Sequence, residues 1–351
     1  MRRLEAHNRV QRLIDAAIDR FALDLSGLTV LTETASGPFV VTPLIAARAG
    51  ASVIAVTRDS RFASAAEVRE YTLEWAERLR LSDRIELHSG PALERAADAD
   101  LVTNLGFVRP IDAAFAAAMR PGSAVSLMCE PWEVRPADVD VGACRTAGIP
   151  VLGTNERDPR LQTFRFVGML ALKLLLELEV EVLFSQVVVV SSDPFATAII
   201  DVLCAAGAQV TALDMTSGAE ARDPTVLQAC AEADAVVVAE HRDRRAVIGG
   251  ASGIPVELLL RSGAAVAHIA GAIDDPDNRL RKHPAGAVAP GWMTVTTDVL
   301  GPRPVIDLHA AGLRVGQALM PAAQRLQDPV DAQQAALREL PELAALGDPD
   351  G

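Results

Sequence analysis

The sequence is poor in aromatic residues and in cysteine. Aromatic side chains make up 4% of the 351 residues, so the cores must be built mainly from Ala, Val and Leu. The four cysteines stand alone and form no CxxC pair; they are Cys129, Cys144, Cys204 and Cys230. This spacing excludes a disulfide framework and favours a reduced cytosolic protein, most of whose thiols fill the core.

Positive charge and long apolar runs are also scarce. The chain has 33 basic and 46 acidic residues and a net charge of −13. An acidic surface repels phosphate, so we expect neither nucleic acid nor a membrane as a partner. Three glutamates between 177 and 181 interrupt the longest apolar run, which therefore falls short of a membrane span. The first 21 residues lack an apolar central region and predict an amphipathic helix rather than a signal peptide.

Several sequence motifs of metal binding and catalysis are missing. No set of His, Cys and Asp residues has the spacing of metal ligands, so the sequence predicts no metal. Neither a GxSxG turn nor a phosphate-binding P-loop is present. Acyl-enzyme and kinase chemistry therefore have no support from the sequence.

Short apolar runs alternate with helical stretches along most of the chain. Continuous apolar strands are typical of parallel sheets covered by helices on both faces. The rhythm restarts at Gln186, with "QVVVVSS" as a new first strand. The sequence therefore predicts an α/β fold with two Rossmann-like, doubly wound parallel-sheet units around a central cleft. The predicted segments are an N-terminal domain at 1–158, a bridging helix at 159–185, a C-terminal domain at 186–303, and a C-terminal helix with an acidic tail at 304–351.

One stretch resembles a known two-domain architecture. It contains "GIPVLGTN", the long helix "RLQTFRFVGMLALKLLLELEVEV" and the unit "VVVVSSDPFATAIIDVLCAAGAQVTALD". The order of these parts is similar to the junction between the substrate and nucleotide domains of D-2-hydroxyacid dehydrogenases, and S-adenosylhomocysteine hydrolases share this plan. The resemblance covers about two thirds of the chain, mostly as architecture, and implies a nicotinamide-dependent oxidoreductase of small metabolites.

Two motifs of that family are absent. The glycine loop that lets backbone approach a pyrophosphate is replaced by the six residues 191–196, "SSDPFA", which contain no glycine. The family's substrate-binding arginine is also missing, because the matching segment offers His268 and then Gly271. The sequence is therefore a divergent member of the resembling group, and its redox mechanism is not carried over.

The cofactor is NAD or NADP if the second unit keeps its nucleotide site. The residues expected to contact it stand at strand ends; they are Ser191, Ser192, Asp214, Glu240 and His241. Asp214 ends the second strand about 20 residues after the loop, where an acid binds ribose. The alternative is a helix capped by Asp193 and Pro194 with no nucleotide. Arg58 in the first unit offers a further alternative, as a ligand of a 2′-phosphate.

Polar residues gather where strands of the predicted sheets end, which is where such sheets bind ligands. As catalytic acids or bases we expect Glu130, Glu133 and His268. As substrate-binding residues we expect Thr32, Glu33, Trp132, Arg135, Asn155, Glu156, Arg157 and Arg303. Structural alternatives stay open: Trp132 as a plug at the bottom of the interdomain cleft with Arg135 paired to Glu133, Asn155 or Asp158 as a helix N-cap, and His268 as a hydrogen-bonded core residue.

The sequence leaves three functions open. The first is a cytosolic enzyme, with a place in biosynthesis, that acts on a small polar metabolite in the cleft and uses NAD(P) as an oxidoreductase. The second is a non-redox lyase or cyclase that uses Glu and His as acid and base. The third is a ligand-binding protein that kept the fold and lost the cofactor. The expected partners are a small-molecule ligand and a second copy in a homodimer.

Overall fold

The computed structural model describes residues 1–214, 220–286, 288–289, 292–326 and 328–346. It divides into two compact units. The first unit consists of two segments, Met1–Gln162 and the residues from Gly301 onward. The second unit is Thr163–Leu300. Each unit is an α/β structure built on its own sheet.

Strands and helices alternate along the chain, as the apolar rhythm predicts. The strands are β1 (Thr29–Glu33), β2 (Ser52–Val56), β3 (Ile85–His88), β4 (Leu101–Thr103), β5 (Ala124–Ser126), β6 (Val151–Thr154), β7 (Gln186–Val190), β8 (Gln209–Leu213), β9 (Ala235–Ala239), β10 (Ala246–Ile248), β11 (Ala265–Ala270), β12 (Ala272–Ile273), β13 (Lys282–His283) and β14 (Ala344–Ala345). The α-helices are α1 (His7–Phe21), α2 (Val41–Arg48), α3 (Ala65–Leu79), α4 (Ala113–Ala118), α5 (Val141–Thr146), α6 (Thr163–Glu177), α7 (Phe195–Ala205), α8 (Pro224–Glu232), α9 (Val256–Ser262), α10 (Arg303–Arg325) and α11 (Pro329–Glu339).

The sheet of the first unit has the strand order β14-β6-β5-β4-β1-β2-β3. Strands β1 to β6 are parallel, and β14 is antiparallel to β6. Chain order runs outward from β1 on one side and from β4 on the other, so the direction of winding changes between these two strands. In such sheets the loops at this position separate and leave a crevice at the carboxyl ends of the strands.

Helix α10 lies directly on the first sheet. Its glycines allow this close approach, since a Cβ built on Gly316 would lie 2.5 Å from Leu101 of β4, and one on Gly312 would lie 2.5 Å from Met128. His309 of α10 hydrogen-bonds Thr42 of α2. The C-terminal helix predicted from the sequence is thus part of the core of the first unit.

The close contact of α10 predicts the effect of a larger side chain. Gly316→Val should lower the free energy of unfolding by about 2–3 kcal/mol, because the added methyl groups overlap Leu101 in a packed core. Gly286→Ala is the matched control, since a Cβ there meets nothing within 4 Å. Urea denaturation followed by circular dichroism measures both. Equal stability of the two variants would contradict the packing described.

The second unit has the parallel strand order β13-β11-β9-β7-β8, with a separate β10–β12 pair. The β-branched run "VVVV" forms β7 and is buried on both faces. Together the two sheets confirm the predicted fold class of two Rossmann-like parallel-sheet units. The predicted domain boundaries remain predictions, as does the central cleft.

Helix α6 is part of the second compact unit and packs on α7, where a Cβ on Gly168 would lie 2.4 Å from the carbonyl oxygen of Ala198. The bridging helix at 159–185 remains a prediction. Residues 292–300, "WMTVTTDVL", form an isolated antiparallel bridge between Met293 and Ala270 and a 3₁₀ turn at Thr297–Leu300. Thr294 hydrogen-bonds carbonyls of β11. The acidic tail contributes α11 and β14, and residues 347–351 lie outside the described residues.

Candidate functional site at the carboxyl ends of the strands

Glu33 closes β1 and is a buried carboxylate. Its relative exposure is 7%, and Oε2 accepts a hydrogen bond from the backbone N–H of Phe107 at 2.8 Å. Phe107 belongs to the loop after β4, which lies beside β1 because the two strands are paired. Burial raises the pKa of Glu33, while the Phe107 hydrogen bond and the charge of Arg109 act in the opposite direction. The protonated form of this carboxyl is therefore favoured relative to an exposed glutamate.

Glu130 follows β5 and is a second buried carboxylate, with a relative exposure of 6%. Its Oε1 accepts a hydrogen bond from the backbone N–H of Glu156 at 2.9 Å, just after the neighbouring strand β6. Burial raises the pKa of Glu130, opposed by this hydrogen bond and by the charge of Arg157. Glu156 itself is 5% exposed. Glu33, Glu130 and Glu156 are called the strand-end carboxylates below.

Asn104 and Cys129 stand at the ends of β4 and β5, between the strand-end carboxylates. The Asn104 Oδ1 accepts a hydrogen bond from the N–H of Met128 at 2.7 Å, and its Nδ2 donates to the Cys129 Sγ at 3.4 Å. Burial raises the pKa of the Cys129 thiol far above its ordinary value, with the charge of Glu133 acting in the same direction. The thiol therefore stays protonated and is a poor nucleophile. Asn104 is one of the polar residues that the sequence places at a strand end, whereas sequence reasoning did not name Cys129 as a site candidate.

Trp132 and Glu133 lie in a 3₁₀ turn, Pro131–Glu133, immediately after Glu130. Both side chains are half-buried. The turn packs closely on β6, since a Cβ on Gly153 would lie 2.5 Å from the Pro131 Cγ. The 3₁₀ turn after Glu130 is thus packed against β6.

The remaining candidates of the first unit have structural contacts. Asn155 donates from Nδ2 to the carbonyl of Glu342 at 2.6 Å and so ties β14 to β6, which is a different role from the helix cap considered as its alternative. Thr32 is fully buried and accepts a hydrogen bond from Thr103 on the adjacent strand. These two side chains stabilise the sheet rather than present a free polar group to a ligand.

Three arginines predicted to bind substrate lie in different environments. Arg135 is paired with Asp138 at 2.5 Å. Arg157 is exposed directly after β6 and is near enough to Glu130 to lower its pKa. Arg303 opens α10 with 42% of its side chain exposed, and its ion-pair partner within the described ranges is Asp307 at 3.9 Å. Of the three, Arg157 is the one that the structure brings to the strand-end carboxylates.

Glu240 follows β9 in the second unit and is fully buried. Its Oε2 accepts two hydrogen bonds from Ser192 in the loop after β7, one from the N–H and one from the hydroxyl, both at 2.6 Å. Its Oε1 accepts from the backbone N–H groups of Arg242 and Asp243 at 2.8 and 2.9 Å. One carboxylate therefore satisfies donors in both loops.

Asp193 forms the reverse connection, from the loop after β7 to the loop after β9. Its Oδ1 accepts from the N–H of Phe195, the first residue of α7, and from the hydroxyl of Ser191, each at 3.0 Å. Its Oδ2 accepts from the N–H of His241 at 3.0 Å. The rings of Phe195 and His241 meet edge to face at 5.1 Å. Asp193 and Glu240 are called the reciprocal carboxylate pair below.

The reciprocal carboxylate pair occupies the place where a dinucleotide needs open backbone donors. A pyrophosphate binds N–H groups at the first strand-to-helix turn and the N-terminus of the helix. Here Asp193 and Glu240 accept from the N–H groups of Ser192 and Phe195, and both side chains carry acid groups that repel phosphate. Asp214 is exposed directly after β8, as a ribose ligand would be. The loop after β7 therefore does not fit a pyrophosphate, whereas Asp214 after β8 keeps the position of a ribose-binding acid.

His268 lies inside β11 with a relative exposure of 1%. Its Nε2 is 2.7 Å from the carbonyl of Gly271, so Nε2 carries the proton and donates it to that oxygen. Burial lowers the pKa of the ring, and the charge of Lys282 acts in the same direction, so the neutral form is favoured. This placement matches the core alternative; its Nδ1 is a buried acceptor with no hydrogen-bond partner among the described residues.

Sequence reasoning missed a pocket of about 420 Å³ in the first unit, which lies beside Glu33 and is lined in part by Arg58, Phe107 and Arg109. The signal was present in the sequence, because both arginines follow strands, but only the folded loops show that they share one cavity. Across the residues that the structure describes, no group of three His, Cys, Asp or Glu side chains could hold a metal ion. No described helix is long and apolar enough to cross a membrane.

Comparisons with known proteins show likeness of architecture. No protein-family model and no curated protein matches the sequence. Dipicolinate synthase A chain from Bacillus subtilis is 11% identical and superposes with a TM-score of 0.49, over 86% of this chain and 99% of that one. The NAD-bound 3-phosphoglycerate dehydrogenase of Entamoeba histolytica is 12% identical, with a TM-score of 0.44 over 79% of this chain and 98% of that one.

A transhydrogenase from Sinorhizobium meliloti is 14% identical, with a TM-score of 0.41 over 92% of this chain and all of that one. The resemblance stated from the sequence is thus found again among structural neighbours, which include two-domain dehydrogenases. Identities this low and TM-scores below 0.5 leave activity and substrate undetermined.

Proposed function

We propose that the protein is an enzyme that performs acid–base chemistry on a small polar metabolite at the carboxyl ends of the strands of the first unit. The observation that supports this most is the set of strand-end carboxylates, three buried glutamates at the carboxyl ends of strands of one sheet. Burying a carboxyl group is unfavourable unless hydrogen bonds or opposite charges compensate, and carboxyl groups with a perturbed pKa concentrate in active sites.

Glu130 and Glu133 are the proposed acid and base. The raised pKa of Glu130 brings its proton exchange closer to neutral pH, as general acid–base catalysis requires. Trp132 stands between them in sequence and offers a flat surface against which a substrate can stack. Arg157 offers a guanidinium for an anionic group. His268 is buried inside β11 of the second unit and has no role in this chemistry.

Replacing Glu130 tests this proposal. Glu130→Gln should lower turnover by roughly 100-fold or more, the usual contribution of a general acid or base. Its melting temperature should stay within a few degrees, because the amide oxygen still accepts from the N–H of Glu156. The measurement is depletion of a mixture of small polar metabolites by the purified protein, followed by mass spectrometry, and Glu133→Gln should give the same result.

Glu70→Gln, an exposed glutamate on α3, is the matched control and should keep wild-type turnover. A wild-type protein that depletes no metabolite, with or without NAD(P), favours the ligand-binding alternative. Full turnover by Glu130→Gln would refute the assigned role.

An NAD(P)-linked oxidoreductase is the second candidate, and the exposed acid Asp214 after β8 favours it. The reciprocal carboxylate pair opposes it. We expect the wild type to bind neither NAD nor NADP in a calorimetric titration at about 1 mM. A dissociation constant of about 1 mM corresponds to a binding free energy of about −4 kcal/mol. If NAD does bind, Asp214→Ala should weaken it by about 1–3 kcal/mol, the range of a lost charge-assisted hydrogen bond.

We further propose a cytosolic homodimer. All four cysteines are free thiols, as expected in a reducing compartment. Light scattering after size-exclusion chromatography measures the mass, and a value near the 37.1 kDa of one chain would exclude the dimer.

A further inference from the structure

The pocket of about 420 Å³ in the first unit lies where three strands end. Its walls come from the loops after β2, β3 and β4, on the side of the sheet next to the change in winding direction. Open α/β sheets bind ligands at this position, and the volume is within the range of small-molecule sites.

The walls of the pocket are mostly flat and apolar. Two phenylalanines, Phe107 and Phe115, and two prolines, Pro91 and Pro110, contribute rings from different loops. Ring side chains lose little conformational freedom when they hold a ligand, and they favour a planar apolar body over a branched polar one.

Arg58 provides positive charge at this pocket. Its Nη2 donates to the carbonyl of Gly106 at 3.2 Å, and its guanidinium lies 5.3 Å from the centre of the Phe107 ring. These contacts hold the planar group in place while using one of its five N–H donors. A guanidinium fixed in this way has donors left for the two oxygens of an anion.

Arg109 adds a second guanidinium. It donates from Nε to the carbonyl of Asn104 and lies 3.3 Å from Asp138, which is also paired with Arg135. One carboxylate is thus shared by two arginines, which leaves net positive charge. Asp112, an acid that lines the pocket, caps α4 by accepting from the N–H of Phe115.

We propose that this pocket binds a small organic anion, a carboxylate or phosphate attached to a flat apolar body, and that Arg58 and Arg109 hold the anionic group. The proposal deepens and rests on the proposed function, because the anion is assigned as the substrate class. Glu33 accepts a hydrogen bond from the backbone N–H of Phe107, which lines the pocket, so a strand-end carboxylate is bonded to the pocket wall.

Ligand-observed NMR with four probes tests the pocket on the full chain. Phenyl phosphate and benzoate carry the anion on a ring, inorganic phosphate lacks the ring, and benzyl alcohol lacks the charge. The first two should bind in the millimolar range or tighter, at least about tenfold more tightly than the other two. If phenyl phosphate binds more tightly than benzoate, the ligand carries a phosphate group. If benzoate binds more tightly, the ligand carries a carboxylate.

Arg58→Gln should weaken binding of the preferred probe by about tenfold or more, equivalent to roughly 1.4 kcal/mol. Arg61→Gln is the matched control, an exposed arginine three residues away that stacks on Phe62 and does not line the pocket. Its binding should equal that of the wild type. Absence of binding by both ring anions at about 10 mM, equal binding of benzyl alcohol, or equal weakening in the two variants would overturn the proposal.

The proposed anion pocket and the proposed acid–base chemistry can be refuted independently. Loss of anion binding in Arg58→Gln is measured without turnover, whereas the Glu130→Gln test requires turnover and leaves the pocket intact. An intact anion site with no metabolite depletion contradicts the proposed enzyme, and depletion that persists in Arg58→Gln with unchanged Michaelis constant contradicts the substrate class.

Discussion

Replacing Glu240 by alanine should lower the free energy of unfolding by about 3–5 kcal/mol. The carboxylate is fully buried and accepts from the backbone N–H groups of three residues, namely Ser192, Arg242 and Asp243. A buried donor left without an acceptor costs roughly 1–3 kcal/mol, and water entering the space left by the side chain recovers part of the loss. The substitution removes the hydrogen bonds that connect the loop after β7 with the loop after β9.

Urea denaturation gives the change in stability, and hydrogen exchange locates it. Faster exchange should appear in peptides that contain β7 and β9, the strands that the reciprocal carboxylate pair connects. Glu257→Ala is the matched control, because Glu257 is 61% exposed and its ion pair with Arg279 is worth less than about 1 kcal/mol. If Glu240→Ala were as stable as this control, the hydrogen bonds of Glu240 would not exist in solution.

Much of the fold could be predicted because its signals are local. The buried strand β7 is a run of four valines, and the restart of the rhythm at Gln186 marks the second sheet. The order of the strands could not be derived in the same way, because it depends on contacts distant in sequence. The short pairing of β14 with β6 illustrates this, since it depends on the Asn155 side chain reaching the carbonyl of Glu342.

The same distinction applies to the candidate site. Glu33 and Glu130 were found because an acid directly after an apolar strand is visible in the sequence, and both are buried at the sheet edge. The hydrogen bonds that hold the side chains of Thr32 and Asn155 could not be predicted, because their partners, Thr103 and Glu342, are distant in sequence. The sequence therefore predicts that a side chain lies at the end of a strand, but it does not predict which groups that side chain contacts.

The missing glycine loop and the reciprocal carboxylate pair form one arrangement. Without glycine, the turn after β7 brings Asp193 to the N-terminus of α7, and Glu240 reaches the same turn from β9. Each acid satisfies backbone donors that would otherwise need an anion. The sequence showed that Asp193 stood where pyrophosphate belongs, but the matching role of Glu240 follows only from the pairing of β7 with β9.

Acid should destabilise the first unit through His309. This residue is buried between α10 and α2, where its Nδ1 lies 2.6 Å from the hydroxyl of Thr42. Burial lowers the pKa of the ring to about 4. The unfolded chain, with a pKa of about 6.5, takes up a proton first as the pH falls. Stability from the neutral ring is therefore complete above about pH 6.5 and is lost as the pH falls toward about 4.

The size of the loss follows from the two pKa values. Between pH 7.5 and 5 the ring should account for about 2 kcal/mol of lost stability, and by pH 4 for about 3 kcal/mol. His309→Gln cannot gain a proton, and its amide can still bond Thr42, so its stability should depend less steeply on pH by these amounts. His283→Gln, which changes a histidine with 45% of its side chain exposed, should keep the steep dependence because His309 remains. Urea denaturation at several pH values measures all three proteins, and parallel curves for wild type and His309→Gln would show that the ring titrates alike in both states.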